Sequence, residues 1–171
     1  AVKGENMVPG RRVAKSPYVI NTGANDAYIR IRVMIPSAAN NDYVNVHEGG
    51  VITNVWCSTS MLSGEFVNTQ SGGQRNAPYI EKKAVTRDGV TYDVYTFVRV
   101  EPLAAGKMTE WNVWNNIGIN NDATSADIQK AIDAGAITAS GDTMTLNVLV
   151  EADAIQAEGF ADAAAAWAAF K

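Results

Sequence analysis

A chain of 171 residues, 47% apolar and 19% charged, has enough material for a single domain (1–171) with a real core, and lies too near the globular average for disorder or a fibrous repeat. Its net charge of −4 and pI near 4.9 argue against a nucleic-acid partner, whose binders present a basic face. No apolar run approaches the roughly 18 residues of a membrane span. A lone cysteine, Cys57, excludes an internal disulfide, a CxxC redox pair or a cysteine metal site.

The chain begins at Ala1 without an initiator Met, which implies a processed or trimmed amino terminus. Residues 1–12 are polar and broken by Gly4, Pro9 and Gly10, so they read as an arm and a turn. Lys3, Arg11, Arg12 and Lys15 form a small basic cluster, read as a solvated edge rather than a phosphate site. Residues 13–36 read as a hairpin. An approach strand through Pro17, Tyr18, Val19 and Ile20 meets a turn at 21–26, rich in Asn, Gly and Asp, and an outgoing strand follows. In that outgoing strand Ile29, Ile31, Val33 and Ile35 point one way, toward a core. Tyr28, Arg30, Arg32 and Met34 point the other way, toward water or a partner.

Beyond Pro36 a polar loop leads to a short strand near residues 43–46 and a β-branched strand at 51–56. Residues 58–78, rich in Ser, Gly, Asn and Gln, read as a long loop. Asp88-Gly89 between strand-formers predicts a tight hairpin, 84–86 with 90–101. Its second arm is apolar or aromatic on both faces, as in a central strand covered on both sides. Trp111 to Trp114 reads as a further strand. Thr124-Ser125-Ala126-Asp127 has capping-box spacing, Ile128, Ala131 and Ile132 form a stripe, and Gly135 is a natural stop, so a helix is expected there. Residues 143–150 alternate as one half-buried strand. Phe160, Ala164, Trp167 and Phe170 predict a short terminal helix anchored by aromatics. Strands separated by turns, with one or two short helices, make an antiparallel all-β sandwich the expected fold.

Chemistry is sparse. His47 is the single histidine, and the HExxH pattern is absent, since no second histidine follows His47-Glu48 at that spacing. Gly49-Gly50 and Gly72-Gly73 lack the Lys-Ser/Thr of a phosphate cradle. The Asn-rich stretch 115–122 does not match a calcium loop. Glu151 and Asp153 form a carboxylate pair whose placement in a cleft the sequence leaves open. Trp56, Trp111, Trp114 and Trp167 could stack sugars, with core packing the commoner use. No enzyme, cofactor or metal site is expected.

Two stretches support more than a fold class. VPGRRVAKSPYVINTGANDAYIRIRV resembles the PG-x-x-V-x-K-x-P-x-V-x-N-T-G-x-N-D-A-Y-I-R pattern of the TasA/camelysin-like exported proteins, and EADAIQAEGFADAAAAWAAF resembles that family's closing segment. The resemblance implies a jelly-roll-like sandwich released by a SipW-type signal peptidase and held at the surface or in the biofilm matrix of a Gram-positive bacterium, with archaeal surface filaments ranked behind. It further implies a fibre subunit, partnered by copies of itself and by other matrix proteins, in which an amino-terminal strand of one copy completes the sandwich of the next. Family members carry a strand-forming segment upstream of the Pro-Gly motif, whereas Ala1 to Val8 precede it here, so the expectation is either a trimmed chain that lacks the upstream strand or a very short donor segment. Val2, Met7 and Val8 on the arm, with Tyr28, Arg30 and Arg32 on the outward strand face, are the candidate assembly residues. Behind the structural reading stand a camelysin-type metallopeptidase and a surface module binding carbohydrate or host protein through the 58–78 loop.

Overall fold

A computed structural model describes residues 12–14, 18–40, 53–56, 82–110, 116–119 and 123–170. Among these described residues nine strands and two helices follow in chain order: β1 (Arg12–Ala14), β2 (Ala27–Pro36), β3 (Thr53–Trp56), β4 (Lys82–Arg87), β5 (Val90–Val98), β6 (Asn116–Ile119), α1 (Ser125–Asp133), β7 (Ile137–Ser140), β8 (Thr143–Leu146), β9 (Leu149–Gln156) and α2 (Ala163–Ala169). All pairings are antiparallel. One sheet has the order β4-β5-β2-β9, a second β1-β6-β3, and β7-β8 is a two-stranded ribbon.

The core lies between these layers. Ile29, Ile31, Val33 and Ile35 of β2 and Phe97 of β5 pack with Ile119 of β6, Ile137 and Leu146 of the ribbon, and Ala131 of α1. This is an antiparallel β-sandwich with two short helices, as the alternation in β2 predicts. A fully buried Ile stabilises by about 1.5–3 kcal/mol, and Ile29, Ile31 and Ile35 are all essentially sealed from solvent.

Local chemistry shapes the turns as expected. Asp88 and Gly89 both take positive φ (50° and 80°), the requirement of a two-residue hairpin loop that follows the strand twist. Strand β5 lies between β4 and β2 and is covered on both faces, with Phe97 in the main core and Tyr92, Val94 and Val98 in clusters on the other side, in keeping with its apolar character on both. Helix α1 opens with a reciprocal capping box between Thr124 and Asp127, and Gly135 follows at φ 71°.

Three expectations need correction. Residues 18–20 do not pair back onto β2. Ile20 bridges Met108, Thr109 N donates to Val19 O, and Asn21 N donates to Lys107 O. The buried Asn21 amide donates to Asn25 O and Leu103 O, pinning the 21–26 turn to the 103–109 segment and releasing β2 to pair with β5 and β9. The 143–150 stretch is likewise not one strand. Asn147 N still follows the β7 register to Ala136 O, but Val148 N turns back onto Leu146 O and the Asn147 side chain donates to Gly135 O, which ends the run and lets β9 pair in another sheet. In α2 the buried positions are Ala163 and Ala166, whereas Ala164 is exposed. Residues 43–46, the 58–78 loop, Trp111, Trp114, Cys57 and His47 lie outside the described residues.

Candidate assembly edge

The outward face of β2 is occupied by the chain itself. Tyr28 and Val98 are buried beneath Ala163 and Ala166 of α2, joined by Ile155, Phe160 and Trp167. At the other end Met34, Tyr92 and Val94 form a separate buried cluster with Leu149. Burial raises the Tyr92 phenol above its ordinary range, aided by Asp88 and opposed by Arg87.

Between the two clusters runs a belt of charge. The β2–β9 register sets Arg30 opposite Asp153 and Arg32 opposite Glu151. Arg30 donates to Asp153 Oδ2 from Nε (3.0 Å) and Nη2 (2.7 Å), and Arg32 Nη2 reaches Asp153 Oδ1 and Glu151 Oε2, both at 3.1 Å. Arg87 of the β4–β5 hairpin pairs with Glu151. The Arg30 guanidinium also lies 4.5 Å from the Trp167 ring and 5.0 Å from the Phe170 ring, so the cation clamps the terminal helix onto the sheet. Trp167 and Phe170 meet edge to face at 5.2 Å.

The carboxylate pair singled out in the sequence is therefore consumed by guanidiniums. Of the candidate assembly residues, Tyr28 is buried inside its own chain rather than turned to water, whereas Arg30 and Arg32 are partly exposed and engaged in this belt. The physical reason is that a short alanine-rich helix supplies too little side chain to separate Trp167 from the sheet, so aromatic and guanidinium stack directly. Val2, Met7 and Val8 lie outside the described residues.

What alternation in β2 did not reveal is the strand beside it. Among the described residues β9 is an edge of its sheet, eight residues long and without proline, lysine or arginine. Its bonding pattern follows from two observations. Ala157 N donates to Asp26 O on the β2 side, and the register pairs Gln156 with Ala27. Because a residue's N–H and C=O point to the same side and alternate along a strand, Leu149, Glu151, Asp153 and Ile155 face β2. Val150, Ala152, Ala154 and Gln156 present their backbone groups outward. Ala152, Ala154 and Gln156 are also exposed at the side chain, on the core-facing side of the sheet.

That side opens into a cleft of about 470 Å³, lined by Val19, Ile20, Asn25, Ala27, Ile29, Ala152 and Ala154 among others. Ile20 stands at its wall 57% exposed, with Met108, its bridge partner, 53% exposed. Ladder groups with no partner among the described residues, beside small side chains and a cleft lined by both apolar and polar groups, are what a further strand needs in order to bind. Alanine and acidic residues are weak strand-formers, so neither propensity nor periodicity marks this segment.

Among the described residues no group of three or more His, Cys, Asp or Glu could hold a metal, and no helix is long and apolar enough to cross a membrane. No family model, no curated protein and no solved structure matches the chain.

Proposed function

We propose that this protein is a non-enzymatic structural subunit, exported to the cell surface or extracellular matrix, which assembles with copies of itself by β-strand addition. The observation that carries the reading is the open edge of β9 over its cleft. Each ladder hydrogen bond made there contributes a net ~0.5–1.5 kcal/mol, and an apolar side chain of an added strand gains from burial against Val19, Ile20 and Ile29 within the cleft. The resemblance of residues 8–33 and 151–170 to the TasA/camelysin pattern supports export, a matrix setting that includes other matrix proteins, and a jelly-roll strand order. It also nominates the amino-terminal arm, with Val2, Met7 and Val8, as the donated segment.

Electron microscopy of the mature protein, with sedimentation of the same samples, is the test. Filaments with a regular subunit repeat are expected. A monomer at every concentration, pH and salt condition tried would remove the reading.

A further inference from the structure

We infer that α2 is a latched cover, which lifts from the sheet while β2, β5 and β9 stay paired, and which uncovers the apolar face of Tyr28, Val98 and Ile155.

The way residues 158–170 are held comes first. Ala157 N donates to Asp26 O, and among the described residues this is the last backbone bond to a distant part of the domain. Beyond it the backbone bonds are local. Phe160 N donates to Ala157 O, Ala165 N to the Asp162 side chain, Ala166 N to Asp162 O and Phe170 N to Trp167 O. Strand β2, in contrast, is bonded along its length to β5 on one side and β9 on the other. The helix can therefore leave without breaking a single ladder bond, whereas the sheet cannot open without breaking many.

The apolar contacts under the helix are few. Of its seven residues, Ala163 and Ala166 are buried, Trp167 is half-buried and the other four are exposed. A buried alanine withdraws one methyl group from water, far less than Ile29, Ile31 or Ile35 in the main core. A helix of this length does not hold itself together in water, because the first turn is costly to nucleate, so α2 melts once its contacts are lost. Few buried apolar contacts and purely local backbone bonds are the marks of a segment that opens well below the free energy of global unfolding.

The latch is Arg30. Its guanidinium lies against the Trp167 and Phe170 rings and is held from the sheet side by Asp153, through Nε and Nη2. When the rings depart, the Asp153 bonds remain, so the cation stays in place to receive them again. The buried Trp167 Nε1 has no hydrogen-bond partner among the described residues and gains water on opening, which favours release. Gly159, at φ 92°, lies in the 158–162 connection about which the helix moves. This opening is independent of strand addition at β9, whose ladder to β2 stays intact throughout.

Amide hydrogen exchange on the whole chain, followed residue by residue in increasing sub-denaturing urea, tests the cover. Amides of Ala166 to Ala169 are expected to exchange at least about a hundredfold faster than those of Ile31 and Val33, with almost no dependence on urea. A thiol probe reads the uncovered face directly. In a Cys57→Ser background, Val98→Cys lies beneath α2 and Val33→Cys lies in the main core. The first should react with a disulfide reagent at least about a hundredfold faster than the second. Trp167→Leu keeps an apolar side chain and the Arg30–Asp153 bonds, and should speed α2 exchange about tenfold through loss of the cation–π contact. Protection in α2 that equals that of β2 and falls with urea in parallel would overturn the inference. So would α2 amides with no protection at all, equal reactivity of the two thiols, or exchange unaltered by Trp167→Leu.

Discussion

Proline at two neighbouring positions of β9 should have opposite consequences. Ala154 pairs with Ile29 at a position where its N–H points away from β2, so Ala154→Pro removes no bond of the folded domain. The preceding residue, Asp153, is already extended, as a residue before proline prefers. The stability change should stay within about 1 kcal/mol. An incoming strand, in contrast, loses one donor, about 1 kcal/mol, and the ring disturbs the bonds on either side. A total near 3 kcal/mol corresponds to roughly a hundredfold weaker subunit contact. Asp153→Pro, one residue earlier, removes a donor facing β2 and should cost the fold about 3 kcal/mol or more. Thermal melts and filament growth followed by light scattering read both effects. If Ala154→Pro melts as low as Asp153→Pro, the deduced bonding pattern is wrong. If it melts normally and polymerises at the parent rate, β9 is not the assembly edge.

The clamp on α2 makes a second prediction. Arg30→Gln removes both hydrogen bonds to Asp153 and the stack on Trp167, and should cost about 1–3 kcal/mol in urea unfolding, discounted because both partners are partly exposed. Trp167→Phe should cost within about 1 kcal/mol, since the indole Nε1 has no hydrogen-bond partner among the described residues, whereas Trp167→Ala should cost about 2–3 kcal/mol. Gly135→Ala should destabilise by about 1–2 kcal/mol, because φ is 71° and the added Cβ meets Val90 Cγ2 at 3.0 Å. The Asp127 carboxyl is held below its ordinary range by the Thr124 side chain first and its backbone second. A carboxyl with a lowered folded value stabilises above its unfolded value of about 4 and loses that contribution as pH falls through the folded one. Asp127→Asn should therefore flatten the acid limb of α1 protection in hydrogen exchange, and an unchanged limb would refute the cap's role.

Much of the fold was legible because it is local. The period of two in β2, the Asp88-Gly89 turn and the Thr124–Asp127 cap each specify geometry within a few residues, where side-chain alternation and backbone hydrogen bonds act directly. The partners of those elements were not legible. Nothing near Tyr18–Val19–Ile20 announces that Asn21 bonds to Leu103, 82 residues away, and that one side chain redirects the expected hairpin. Nor does the chain announce that Asn147 ends β8 by bonding back to Gly135.

The residues of β9 mark the boundary most clearly. From the sequence, Glu151 and Asp153 are two acids of unknown placement, and Ala152 and Ala154 are weak strand-formers. The sequence by itself determined the chemistry available: an acidic chain with one histidine, one cysteine and an alternating core strand. Only the tertiary structure decided where that chemistry sits. Register opposite β2 turned the two acids into the partners of three arginines, and the absence of a further described strand beyond β9 turned two alanines into the floor of an open edge. The reason is physical. Side-chain period reports which face a residue occupies, but edge or centre depends on which distant segment takes the next place in the sheet.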